Sequence, residues 1–121
     1  MGADDWRVRL SAAADADYER ILHWTVDNFG LVQARVYADT LSLALQELCA
    51  GPSIVGVKRR SEIGTDIYTL HVARKGRKGR HFVMFRVGRI QGQNVIDVLR
   101  LLHDSMDLER HLPSDNPAQM L

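Results

Sequence analysis

The chain has 121 residues, 45% of them hydrophobic, with 16 Lys or Arg against 15 Asp or Glu and a single cysteine. That length and apolar fraction suit one domain over residues 1–121 with one core, and the lone Cys49 excludes an intramolecular disulfide or a cysteine-rich zinc site. No apolar run approaches bilayer-spanning length, and MGADDWRVRL carries no secretory signal, so a cytoplasmic protein with no membrane partner is expected.

The near-zero net charge of +1 conceals a strong asymmetry. Residues 1–57 carry four basic and eight acidic side chains, residues 58–89 carry ten and two, and residues 90–121 carry two and five. A basic stretch can be no more than a solvated loop. A local charge of +8 within a small domain nevertheless sets up a field that attracts a polyanion or an acidic partner.

Trp6-Arg7-Val8-Arg9-Leu10 alternates apolar and basic residues, which predicts a short strand with one face exposed. Ser11 or Asp15 can cap the helix that follows, and Asp15, Asp17 and Glu19 suit the positive end of its dipole. Tyr18, Ile21, Leu22, Thr25 and Phe29 recur at helical spacing up to Gly30. A second helix carries Tyr37, Leu41, Ala44 and Leu48 as its stripe and ends at Gly51-Pro52. With so short a join the two helices must fold back as an antiparallel hairpin. Trp24, Tyr37 and the leucines, at helical spacing, are read as core.

Ser53 to Asp66 lacks periodicity and reads as a crossing loop holding Lys58-Arg59-Arg60. Ile67–Ala73 alternates as a strand, and Arg74–Arg80 is too basic and glycine-rich to pack, so it is read as a hairpin tip. His81–Val87 and Val95–Leu102 are apolar on both alternating faces, as expected of strands covered on both sides. Gly88–Asn94 between them reads as a long loop. The expected fold class is α+β: an N-terminal strand, an antiparallel helical hairpin, a three-stranded antiparallel meander and a short C-terminal tail. Val83, Phe85, Val98, Leu99 and Leu101 are expected to be buried.

In this order the pieces resemble the RelE/ParE superfamily of toxins from bacterial type II toxin–antitoxin modules, over Trp6 to about Leu112. The resemblance rests on the helix ending at Leu48, the Pro52…Gly56…Arg60 loop and Glu62-Ile63-Gly64. It rests further on the arginine-led apolar strand Arg80–Val87 and on Val98–Leu108 with its Leu-His-x-x-x-Asp-Leu ending. The last two are similar to the ParE-like branch. The resemblance implies growth arrest by inhibition of DNA gyrase and neutralisation by a cognate antitoxin. Two alternatives remain: a RelE-like, ribosome-dependent mRNA endonuclease, and a non-toxic relic or regulatory member of the fold.

Metal-free RNA cleavage needs a base, an acid and cations at the phosphorane. His103, Arg80 and Arg86 are the residues that would carry it. Against it stand the absence of any tyrosine after Tyr68 or tryptophan after Trp24, and Asp104 and Asp107 beside His103, which would repel a phosphate. Arg86 and Arg100 can equally pair with carboxylates inside the domain. No catalytic residue is therefore expected. The histidines at 23, 71, 81, 103 and 111 lack metal-site spacing, and no glycine-rich phosphate loop joins a strand to a helix, so neither metal nor cofactor is expected. The basic surface for antitoxin or target is assigned to Lys58, Arg59, Arg60, Arg74, Arg77 and Arg80, facing an acidic partner segment with apolar anchors.

Overall fold

The computed structural model describes residues 6–106. In chain order they form β1 (Arg7–Leu10), α1 (Ala12–Phe29), α2 (Leu31–Glu47), a 3₁₀ turn (Leu48–Ala50), β2 (Lys58–Arg59), β3 (Ile67–His71), β4 (His81–Ile90) and β5 (Gln93–His103). The sheet order is β1-β5-β4-β3-β2, antiparallel throughout except for β1, which runs parallel to β5 with Arg7 opposite Val95 and Leu10 opposite Val98. The α+β class is as expected. The sheet, however, has five strands, because Lys58-Arg59 joins its edge as β2 instead of remaining loop.

Ser11 caps α1: its Oγ accepts the Ala14 N–H at 3.0 Å. The break between the helices is a single residue, Gly30, at φ 90°, a conformation that glycine adopts without strain. The hairpin so formed lies on one face of the sheet. Ala14, Leu41, Ala44 and Leu48 from the helical side meet Leu70, Val72, Val83, Phe85, Ile96, Val98 and Leu101. On the opposite face Ile67, Met84 and Leu102 form a second buried cluster, flanked by Ile63 and Leu99. This is why β4 and β5 read as apolar on both faces. Of the five side chains expected inside, Val83, Phe85, Val98 and Leu101 are buried, while Leu99 is partly exposed.

Leu99 marks a β-bulge. Met84 pairs with Arg100 but Phe85 pairs with Val98, so Leu99 has no partner on β4. The extra residue keeps both Val98 and Leu101 on the helical side, although they are three positions apart. The backbone groups it disturbs are taken up by the start of α1. Ser11 N–H donates to Val98 O at 2.9 Å, Ser11 Oγ donates to Leu99 O at 2.9 Å, and Leu101 N–H donates to Asp17 Oδ2 at 2.9 Å.

The β4–β5 connection corrects the expected loop. Ile90 pairs with Gln93, and the turn is Gln91-Gly92, both at positive φ (50° and 79°), which is the two-residue hairpin geometry that follows strand twist. Gly88 and Asn94 lie within the ladder opposite Val95 and Arg89. β3 likewise ends at His71, short of Ala73. The amphipathic tail expected after Met106 lies outside the described residues.

Candidate functional site

A groove of ≈ 780 Å³ opens where the helical hairpin overhangs the start of β4 and the end of β5. Helical phase sets its inner wall: Ile21, Trp24 and Thr25 follow one another on α1, and Gln33 and Tyr37 stand one turn apart on α2. The mouth is formed by Arg80, His81, His103 and Met106. Trp24 and Phe29 meet edge to face at 5.7 Å, and they are 58% and 64% exposed. Trp24 is thus corrected from a core residue to an exposed one. The helix phase that read as core instead directs the indole to the groove, where it stays largely exposed.

Tyr37 closes the floor. Its hydroxyl accepts the Arg80 N–H at 3.1 Å and bonds His81 Nδ1 at 2.6 Å. Gly79 makes that approach possible, since a Cβ there would meet Val72 at 2.6 Å and Tyr37 at 2.9 Å. Burial, reinforced by the neighbouring His103, pushes His81 down to about 4, so its ring is neutral and accepts the Tyr37 proton. Burial in turn raises the Tyr37 phenol above its ordinary range.

Asp104 organises the mouth. Arg80 Nη2 lies 2.9 Å from Asp104 Oδ1, and His71 Nε2 lies 2.9 Å from Oδ2. Ala73 N–H donates to His71 Nδ1 at 3.0 Å, which places the proton of a neutral His71 on Nε2, facing Asp104. Hydrogen bonds from Arg80 and His71 hold the Asp104 carboxyl well below the usual carboxylate range. His103 Nδ1 is taken by Ser105, with the hydroxyl at 2.7 Å and the N–H at 3.2 Å.

The structure brings His103 and Arg80 to this mouth but leaves Arg86 elsewhere. Arg86 stands opposite Ile67 on one side and Asp97 on the other, on the order of 17 Å along β4 from the His81–His103 pair. The six residues of the expected basic surface are also divided. Lys58 and Arg59 lie on edge strand β2. Arg60 turns inward, donating to Thr69 Oγ1 at 2.9 Å and covering the Phe82 ring at 5.4 Å. Arg74 and Arg77 converge with Lys75 on Glu47 at the end of α2, at 3.2, 2.5 and 2.6 Å. Burial raises the Glu47 carboxyl, but these three cations outweigh it and bring it below its ordinary range.

Three residues that shape these sites were not singled out for them by sequence reasoning: Asp17, Tyr37 and Glu47. Asp17 is 1% exposed and accepts from Arg100, Leu101 N–H and Arg20. Burial pushes its carboxyl up, while the bonds from Arg100 and Leu101 bring it net below its ordinary value. Among the described residues no group of His, Cys, Asp and Glu is placed to hold a metal ion, and no helix is long and apolar enough to cross a membrane.

A family model described as "ParE toxin of type II toxin-antitoxin system, parDE" matches residues 8–108. Toxin ParE1 of Mycobacterium tuberculosis is 35% identical over 106 residues, covering 88% of this chain and 97% of the relative. Toxin ParE1 of Caulobacter vibrioides is 28% identical over 104 residues, covering 86% and 95%.

Proposed function

This chain belongs to the ParE toxin family of type II toxin–antitoxin systems, and on that premise we propose that it acts in the cytoplasm, arresting growth by binding DNA gyrase. A cognate antitoxin holds it inactive. The observation that carries the non-nuclease reading is the Asp104 cluster. Arg80 is bound by the Asp104 carboxylate at 2.9 Å, and that same carboxylate stands 3.7 Å from His103 Nδ1, where it would repel a phosphate. Arg86, the second cation a nuclease would use, stands far along the strand. A site of this kind repels the charge that phosphodiester cleavage develops.

The groove supports the antitoxin part of the reading. Its wall is apolar, from Ile21, Trp24, Phe29 and Tyr37, and Arg20 and Arg80 stand at its sides. An amphipathic helix with apolar anchors and acidic flanks is its complement. Induced expression with separate readouts tests the target: double-strand breaks and a DNA-damage response with intact mRNA support gyrase. Rapid mRNA loss without DNA damage would move the assignment to the ribosome.

A further inference from the structure

The basic residues left outside the groove gather along one edge of the sheet. Arg74 Nη1 donates to Val55 O at 2.6 Å, and its guanidinium lies against Gly56, tying the β3–β4 loop to the segment that leads into β2. Lys58, Arg59, Arg74, Lys75, Arg77 and Lys78 thereby lie along one edge of the sheet, Lys58 on the face of its partner Thr69 and Arg74 and Arg77 on the helical face with Glu47. Opposed to these six cations are two carboxylates: Glu47, which holds three of them, and Asp66, 3.8 Å from Arg59. The Nε atoms of Arg74 and Arg77 are buried, and Arg74 Nε lies 3.2 Å from Glu47 Oε1. Lys58 and Lys78 are exposed and enter no ion pair among the described residues.

We infer that this rim binds the phosphodiester backbone of duplex DNA, so that the toxin touches the nucleic acid on which gyrase works as well as the enzyme. The DNA identity rests on the gyrase reading; the phosphate chemistry does not. Glu47 ties down Arg74, Arg77 and Lys75, the Lys75 side chain staying 64% exposed, and Lys78 is left presented outward. A backbone contact needs only cations at suitable intervals, and the rim from Lys58 to Arg74 spans on the order of 15 Å, roughly four to five base pairs. An acidic peptide would need apolar anchors at the centre of its contact. The loop from Ala73 to Gly79 offers alanine and glycine as its apolar residues, and the exposed Val55 and Leu43, on different elements, form no continuous apolar centre within it. A single strand would need aromatic platforms for its bases. The nearby aromatic rings are occupied: Tyr68 stacks on Phe85 at 5.7 Å, and Phe82 lies under Arg60.

The test uses the full chain and a fluorescent 20-base-pair duplex of random sequence, with no gyrase present. Anisotropy at low salt should give a Kd on the order of 10⁻⁵ M, with log K falling against log salt at a slope of about −3 to −4. Lys78→Glu should weaken binding several-fold and flatten the slope by about one, with thermal melting unchanged. Lys58→Glu, on the other side of the rim, should weaken it several-fold by the same mechanism. Absence of duplex binding, or binding untouched by both variants, would overturn the inference. Tighter binding to a single-stranded RNA of equal length would overturn it as well. Because gyrase is left out of the assay, failure here leaves the target assignment standing, and failure of that assignment leaves this result standing.

Discussion

Asp17 and Arg100 form a buried ion pair that fastens α1 to the bulge of β5: Arg100 Nε donates to Asp17 Oδ2 at 2.7 Å and Nη2 donates to Oδ1 at 2.9 Å. The same carboxylate accepts the Leu101 N–H. Removing it takes from the half-buried Arg100 guanidinium the carboxylate that holds it to α1, and from the buried Leu101 amide its Asp17 acceptor. Asp17→Ala should therefore lower stability by about 3 kcal/mol. Arg20→Ala, whose side chain is 64% exposed, should cost less than about 1 kcal/mol. Urea denaturation of the two variants checks the contrast; equal losses would show that the bulge is not held by Asp17.

Glu47 is a second fastening of the same kind, with three cations on one largely buried carboxylate. Glu47→Gln should destabilise the fold by about 2 kcal/mol, and hydrogen exchange should rise first in residues 73–80. A variant as stable as the parent, with unchanged exchange there, would mean the loop is positioned by other contacts.

Acid sensitivity should follow His81. Its ring is pushed down to about 4 in the folded protein, against about 6.5 in an unfolded chain. Between those values the unfolded chain binds more protons, so stability is full above pH 6.5 and falls as pH drops toward 4. Tyr37, His103, His71, Asp17 and Asp104 face this ring, and the carboxylates Asp17, Glu47 and Asp104, all lowered, add their own losses below about pH 4. Thermal melts from pH 7.5 to 4.5 should show the decline in the parent and a flatter profile in His81→Gln. Parallel profiles would assign the decline to other groups.

Much of this architecture was legible because burial on both faces leaves a direct mark in residue type. His81–Val87 and Val95–Leu102 read as doubly covered strands, and Met84 and Leu102 do lie in a second core while Val83 and Val98 lie in the first. The bulge at Leu99 was invisible, since one inserted residue changes pairing without changing composition. The Gln91-Gly92 turn was masked by Gly88 and Asn94, which sit inside the ladder. β2 has only two residues, too few to carry a period. Asp17 did carry a signal. It lies on the same helical face as Ala14 and Ile21, and an acid at an inward position calls for a partner such as Arg100 on the apolar strand. Trp24 misled because helical phase says which residues share a face, not whether anything covers that face.

The antitoxin-binding role of the groove predicts that an exposed aromatic dominates affinity. Trp24→Glu should weaken binding of the cognate antitoxin by about thirty-fold or more, in line with loss of a central aromatic anchor. Arg80→Glu should act mainly on the association rate and its salt dependence. Surface plasmon resonance separates the two effects. Full affinity in Trp24→Glu would place the antitoxin on another surface.

His103→Ala should leave toxicity within a few-fold, because the reading gives His103 no chemical step. Loss of a general acid or base would cost about 10²–10⁴-fold instead. Growth after induction, with folding checked by circular dichroism, distinguishes these outcomes.

The account stands most directly on one assay with the purified chain, DNA gyrase and plasmid. The chain should block supercoiling or trap cleaved plasmid on gyrase, the cognate antitoxin should reverse this, and His103→Ala should behave as the parent. Unimpaired gyrase over the same concentrations, with messenger cut on translating ribosomes in a His103-dependent manner, would contradict it.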